Sequence, residues 1–229
     1  MKPSRIQSAL TPLNAPAAVA RADLVVDAAD TIAASYTLSD ACRAEGKPLI
    51  SASALGQSGY VGGFCGAAPS LRALFPDPPD NGASCASLGV MGPVVGAIGA
   101  LQAQMALKVL LGHTPSPLGQ LVSLDMAQLR PAAFRFDQAA EPTESLPFVA
   151  REQITAKDCV IELRSSQEAP TPVLPDARRL SLSDVETTEL PRHGRIVLCC
   201  QSGFRAWRAA RRLQQRGFVN LALLAAAPT

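Results

Sequence analysis

Between Ile196 and Leu213 the chain has few ways to fold. Ile196-Val197-Leu198 is a short, wholly apolar run, the pattern of a strand covered on both faces. It leads directly into Cys199-Cys200-Gln201-Ser202-Gly203-Phe204-Arg205 and then into a segment of helical period. Trp207, Ala210 and Leu213 fall on one side of that helix, with Arg208, Arg211 and Arg212 on the other. A buried strand, a tight loop and an amphipathic helix in this order predict a layered α/β fold. They also put a cysteine where a thiolate is favoured. The free N–H groups of a first helical turn, and the helix dipole, are expected to lower a nearby thiol pKa. Cys200 to Arg205 makes a six-residue loop able to wrap one anion, with Gly203 allowing the curvature.

The sequence CQSGFR, followed by Ala209-Ala210, Leu213 and Gly217-Phe218-Val219-Asn220, resembles the active-site loop of rhodanese-type sulfurtransferases. Ile161-Glu162-Leu163-Arg164 and Glu168 resemble that family's Asp-x-Arg-x-x-x-Glu stretch, with Glu in place of Asp. The resemblance runs from about Leu146 to Ala226. It implies that Cys200 carries sulfane sulfur as a persulfide, surrounded by Gln201, Ser202, Gly203 and Phe204. Arg205 then closes the loop and is expected to pair with a carboxylate such as Glu162. The sulfur donor implied is thiosulfate or the persulfide of a cysteine desulfurase. A tyrosine-phosphatase reading uses the same residues, because Cys199 and Arg205 have five residues between them. That family expects a Gly three positions after the Cys and a His before it. Here those positions are Ser202 and Leu198. Cys199, ending a buried strand, reads as a packed thiol. An inactive rhodanese-like binding module is the remaining alternative.

Composition narrows the function classes. With 48% hydrophobic and 17% charged residues the chain is globular rather than disordered. A formal charge of +2 gives no strong pull toward nucleic acid or an anionic membrane. Six cysteines in 229 residues do not make a small disulfide framework. Lys2-Pro3-Ser4-Arg5 is not followed by an apolar core, so no export signal is expected and a reducing cytoplasm is. Val90–Gly112 is apolar and long enough to span a bilayer, but it holds Pro93, Gln102, Gln104 and Lys108. It is therefore read as a buried core helix.

Along the chain, a short helix is expected at 15–21, then a strand at 22–27 whose continuous apolar run predicts a parallel strand covered on both faces, with acidic residues, Asp27 and Asp30, at its carboxyl end. That end is where open α/β sheets bind ligands. Thr31 caps a helix at 32–45, which Gly46 terminates. Pro48–Ala54 is a second strand of the same kind, and the Gly-rich 55–65 a strand of small residues. After a proline-stiffened loop come Cys85 and the apolar helix, from about 93 to 111. Gly119–Met126 and Ala132–Phe136 read as an antiparallel hairpin. Asp137–Pro147 is polar and acidic, with two prolines, and is taken as a linker between domains at 1–136 and 148–229. The arginines at 205, 208, 211, 212 and 216 read as a solvated helix face or a docking surface for an anionic donor or acidic carrier.

Five stretches of the first domain are similar to the ThiF/MoeB/HesA family of adenylyltransferases. They are ADLVVDAADTIAASYTLSDAC, KPLISASALGQSGYV, LFPDPP, SCASLGVMGPVVGAIGALQAQMALKVLLG and GQLVSLD. That family activates the C-terminal glycine of a ubiquitin-like sulfur carrier with ATP and Mg, in pathways that include thiamine and molybdopterin synthesis. Several members end in a rhodanese domain. By this resemblance Asp30 is the acidic residue that helps hold Mg-ATP, and Cys85 the crossover-loop cysteine that binds carrier or sulfur. The family's glycine-rich phosphate turn has no counterpart, since no G-x-G-x-x-G is present. The chain is thus expected to be the second half of the adenylation domain, with ATP turnover not autonomous. Many relatives hold structural zinc with two Cys-x-x-Cys pairs. Here the first reads Ser70-Leu71-Arg72-Ala73 and the second is missing, so no zinc is expected. The fold expected is α/β: a partial Rossmann-like adenylyltransferase domain followed by a rhodanese-like α/β domain. A homodimer, or a non-catalytic carrier-binding scaffold, is consistent with a half-domain that leaves apolar surface uncovered.

Overall fold

The computed structural model describes residues 7–78 and 88–226. The chain divides into two compact units, one Ala15–Ser145 and the other Leu146–Thr229 with Met1–Asn14.

The first unit is built on one mixed sheet. Its elements are α1 (Ala15–Ala20), β1 (Val25–Asp27), α2 (Ile32–Ala44), β2 (Pro48–Leu55), β3 (Ser58–Cys65), α3 (Leu71–Leu74), α4 (Gly92–Leu110), β4 (Gln120–Asp125) and β5 (Arg130–Arg135). The strand order is β1-β2-β3-β4-β5. Only β1 and β2 are parallel, and the other pairs are antiparallel. α2 begins where the Thr31 side chain accepts from the Ala34 N–H at 3.3 Å. It ends at Gly46, whose φ of 62° is open to glycine at no steric cost. The glycines of β3 permit close approach. A Cβ on Gly63 would lie 2.5 Å from the Pro117 carbonyl oxygen, and one on Gly59 would lie 2.8 Å from Ile98 of α4. α2 and α4 both pack on this sheet.

Two expectations change here. The first strand is not covered on both faces, because β1 is the sheet's edge and Val26 is 48% exposed. α4 is not a buried core helix on all sides. It seats Val94, Ile98, Gln102, Met105 and Ala106, whereas Val95, Leu107 and Leu110 are about half exposed or more. By length and mean hydropathy it could cross a membrane. Its Gln102 amide instead donates to the carbonyls of Asp27 (2.6 Å) and Ile50 (3.1 Å), fastening the helix to β1 and β2.

The second unit is a parallel sheet. It contains β6 (Cys159–Glu162), β7 (Arg178–Arg179), α5 (Asp184–Thr187), β8 (Ile196–Cys200), α6 (Phe204–Gln215) and β9 (Leu221–Ala225), with strand order β7-β6-β8-β9. Every residue of β8 is buried, as its unbroken apolar sequence requires of a central parallel strand. α6 packs on β8 and β9 through Ala206, Trp207, Ala209, Ala210 and Leu213. Its exposed side carries the charged residues, so helix amphipathicity sets its orientation. The protein is of mixed α/β class. The acidic stretch after β5 is not a free linker, since Glu141 accepts from the Ser70 N–H (2.7 Å) and hydroxyl (2.6 Å) and pairs with Arg43.

Candidate functional site

Cys200 is the last residue of β8 and Gly203 is the N-cap of α6. The chain must reverse within three residues. Gly203 does this at φ 89°, a left-handed conformation with no side-chain penalty. The turn brings the first N–H groups of α6 over the sulfur. Ala206 N–H donates to Cys200 Sγ at 3.3 Å, and the N–H groups of Gly203 and Arg205 also favour the thiolate. The site therefore offers a sulfur anion converging backbone donors.

Burial works against them. Cys200 is 1% exposed, and desolvation is the largest influence on its thiol, pushing the pKa up. The N–H groups of Ala206 and Gly203 and the charge of Arg205 pull it down without reversing the shift. The depressed pKa expected from the helix start is corrected accordingly. Cys199 points into the core with Val160, Val173 and Val197, where burial raises its thiol to about 12. Successive residues of a strand face opposite sides, so the two adjacent thiols do not share an environment.

Arg205 closes the loop, but not onto Glu162. Its guanidinium donates to both carboxylate oxygens of Glu168 (2.9 and 2.7 Å) and to the Leu163 carbonyl (3.1 Å). Glu162 is already engaged. Fully buried, it accepts from Arg164 Nε (2.8 Å), Arg164 Nη2 (2.6 Å), Arg164 N–H (3.1 Å) and Val173 N–H (3.1 Å). Burial alone would raise the Glu162 pKa, but these donors hold it below the ordinary value. The segment 162–164 is the floor of the loop. Leu163 N–H donates to the Cys199 carbonyl at 2.8 Å while the Leu163 carbonyl receives Arg205. Sequence reasoning had no signal for the Leu163 carbonyl or the Ala206 N–H, because backbone groups carry no residue signature.

The arginines of α6 are mostly structural. Arg212 pairs with Glu186 (2.6 Å) and donates to the Leu182 carbonyl. Arg216 donates to the carbonyls of Val185 (2.6 Å) and Thr188 (3.1 Å). They fix α5 to α6. His113 and His193 are exposed and take no part.

In the first unit, Asp30 is exposed in the turn between β1 and α2, at the carboxyl end of a parallel strand. Asp27, one residue type read with it, is buried and spent. It accepts from the Ser51 hydroxyl (2.8 Å) and the Ala29 N–H (3.0 Å). Thr31 has capped α2. The residues present at this end do not by themselves fit ATP and Mg. Asp30 supplies one carboxylate, and among the described residues no glycine turn faces it to cradle phosphates. Cys85 lies outside the described residues. Ser70, where the resemblance places the first cysteine of a pair whose second falls at Ala73, is tied to Glu141, and Arg72 between them is tied to Asp40 (2.6 and 2.8 Å). No three His, Cys, Asp or Glu residues cluster to hold a metal among the described residues.

The ThiF family model matches residues 3–146, more than half of the chain. The chain belongs to the ThiF family. Its match takes in every strand of the first sheet, including the turn that carries Asp30. The chain is 42% identical over 120 residues to the adenylyltransferase and sulfurtransferase MOCS3 of Sus scrofa, covering 51% of this chain and 26% of that protein. It is 41% identical over 134 residues to MOCS3 of Anopheles gambiae, covering 55% of this chain and 29% of that protein. It thus spans about a quarter of the length of the curated relatives it matches. Among solved structures, it is similar to Escherichia coli MccB with ATP, with a TM-score of 0.47, 14% identity and coverage of 57% and 41%. A single-domain sulfurtransferase RDL2 of Saccharomyces cerevisiae gives a TM-score of 0.32, 12% identity and coverage of 38% and 88%. Similarities of this size do not bear on the function of the ThiF-family chain.

Proposed function

We propose that the chain is a rhodanese-type sulfurtransferase whose ThiF-family unit binds a ubiquitin-like sulfur carrier. The observation that carries this reading is the Cys200 sulfur, seated at a strand end under the Ala206 N–H with two further backbone donors around it. In the cycle, the Cys200 thiolate attacks the outer sulfur of thiosulfate, or of a cysteine desulfurase persulfide. The donor's S–S bond breaks, and its leaving group departs with the electron pair. Cys200 becomes Cys–S–S⁻, stabilised by the N–H groups of Ala206, Gly203 and Arg205, with Gln201, Ser202 and Phe204 completing the loop. An acceptor thiolate then attacks the terminal sulfur, the Cys200 S–S bond breaks, and Cys200 returns as thiolate. Where the acceptor is an activated acyl carbon of the carrier, the persulfide displaces the acyl leaving group to form an acyl disulfide, and a second thiolate attacking the Cys200 sulfur releases the thiocarboxylate and leaves Cys200 in a disulfide. Arg205 holds the loop rather than the substrate, because its guanidinium is committed to Glu168 and Leu163. That commitment weighs against phosphatase chemistry, which needs the arginine turned to the anion.

The adenylyltransferase name of the relatives makes ATP and Mg, with Asp30, part of the wider reading. Cys85 is proposed as a second sulfur- or carrier-binding thiol. A reducing, cytoplasmic setting agrees with five free cysteines among the described residues. Self-association agrees with the exposed Val95, Leu107 and Leu110 of α4, and a monomer by light scattering would count against it. A non-catalytic scaffold is the second reading, favoured by the burial of Cys200, a residue 1% exposed. Incubation with thiosulfate and mass spectrometry of the Cys200 peptide decides between them. A gain of one sulfur atom, lost in Cys200→Ser, supports the sulfurtransferase. An unchanged mass leaves the scaffold.

A further inference from the structure

The arginines around the loop differ in what they are free to do. Arg164 lies below it and is neutralised by the buried Glu162 at 2.6 Å. Arg205 closes it and is neutralised by Glu168 at 2.7 Å. Further along α6, Arg212 is paired with Glu186, and Arg216 is used on two carbonyls. Arg211 donates to Gln214 at 2.9 Å. Arg208 is different. It is exposed, and its guanidinium donates to no carboxylate or carbonyl among the described residues. It lies one helical turn after Phe204, on the same side of α6, with its guanidinium carbon 5.9 Å from the centre of the Phe204 ring. Phe204 belongs to the loop itself. The position of Arg208 over Phe204 places a positive charge with no carboxylate partner among the described residues beside the Cys200 loop.

The sulfur-transfer step requires such a charge if the donor is an anion. An attacking thiolate and a thiosulfate dianion repel, and Arg164 and Arg205 are each already paired with a carboxylate, so they offset that repulsion less than an unpaired cation does. Resting on the sulfurtransferase reading, we infer that Arg208 is the residue that recruits anionic sulfane donors of the thiosulfate type to Cys200. It binds the sulfonate oxygens by charge-assisted hydrogen bonds. The outer sulfur bonds to Cys200, the donor S–S bond breaks, and sulfite leaves with the electron pair. The charge balances, since a thiolate and a dianion give a persulfide anion and sulfite.

Arg208 is exposed and makes no salt bridge to a described residue, so its variants are expected to fold. Arg208→Gln should raise KM for thiosulfate roughly tenfold while kcat stays within about twofold, because the interaction positions the donor before the S–S bond breaks. Arg208→Lys should recover most of the loss. An uncharged organic trisulfide donor should show no difference between wild type and variant. The salt dependence of KM for thiosulfate should flatten in Arg208→Gln. An unchanged KM, or a fall in kcat at constant KM, overturns the inference. A second measurement separates it from the reading it rests on. Thiosulfate binding to Cys200→Ala is followed by calorimetry, with and without Arg208→Gln. If binding is lost with Arg208 while wild-type Cys200 gains no sulfur, the anion site stands and the sulfurtransferase reading falls. If binding is indifferent to Arg208, the inference falls whether or not Cys200 takes up sulfur.

Discussion

Cys199 and Cys200 are neighbours in sequence that differ in almost every physical respect. Cys199 is packed among valines with its thiol raised to about 12, so it stays protonated and unreactive near neutrality. Cys200 is as buried, but it faces backbone donors that partly offset desolvation. Cys199→Ser should therefore leave sulfur loading intact, and Cys200→Ser should abolish it, as read by peptide mass. The direction of the Cys200 shift gives a pH profile. Burial disfavours the thiolate, so the thiolate fraction at neutral pH is smaller than for a free thiol, whose pKa is about 8.5. The rate of iodoacetamide alkylation should keep rising above that pH. Arg205→Gln removes a charge that lowers the thiol pKa, and should move the alkylation profile further up. A midpoint below the free-thiol value would contradict the burial argument. Glu168, held at about 2 by Arg205, behaves oppositely. Its contribution is complete above the unfolded value and is lost as pH falls through the folded one. Both partners are partly exposed, so that contribution is below about 1 kcal/mol.

At the scale of elements, β6 is fixed at both ends by ion pairs, and both can be tested. At its start, Asp158 accepts from Arg195 Nε (2.9 Å) and Nη2 (2.7 Å), just before β8. The hydrogen bonds from Arg195 depress the Asp158 pKa to about 2. The stabilisation is present above the unfolded pKa of about 3.9, disappears as pH falls toward 2, and amounts to about 2 kcal/mol at neutral pH. Asp158→Asn should lower urea stability by that order at pH 7 and by much less near pH 2. At its other end, Glu162→Gln leaves Arg164 buried without its counter-charge and should cost about 3–5 kcal/mol. These elements also separate what was legible in the sequence from what was not. β8 and α6 were readable because an apolar run and a helical period each signal burial directly. β7 was not, because two residues, Arg178 and Arg179, carry no period at all. The apolarity of α4 was plain, but composition does not say which face meets a neighbour, so Leu107 and Leu110 were placed in a core they do not enter. The loop cysteine and arginine could be found by spacing. The partner of Arg205 could not, since which of two nearby glutamates is already occupied depends on Arg164 and Val173 folding over Glu162.

At the scale of the molecule, the two units divide the chemistry unevenly. The second holds a thiol, its backbone donors and a cation, Arg208, unpaired among the described residues, within one strand-loop-helix. In the first, the polar groups at the β1–α2 turn are spent on one another. Ser51 and the Ala29 N–H occupy Asp27, Thr31 caps its own helix, and Gln102 is fixed to two carbonyls. Asp30 alone faces outward without an ion pair among the described residues. A single carboxylate can hold a hydrated cation, but it repels a triphosphate that no glycine turn cradles among the described residues. Sulfur loading and adenylation should consequently separate in this chain. Loading of Cys200 from thiosulfate should proceed without ATP and be unchanged in Asp30→Asn. ATP–pyrophosphate exchange should be absent from the chain alone, with or without a carrier protein. Exchange by the purified chain that is lost in Asp30→Asn would mean that the turn does assemble a nucleotide site. The argument from its internally satisfied polar groups would then be wrong at its first step, whereas the Cys200 chemistry, built from residues 162–208, would be untouched.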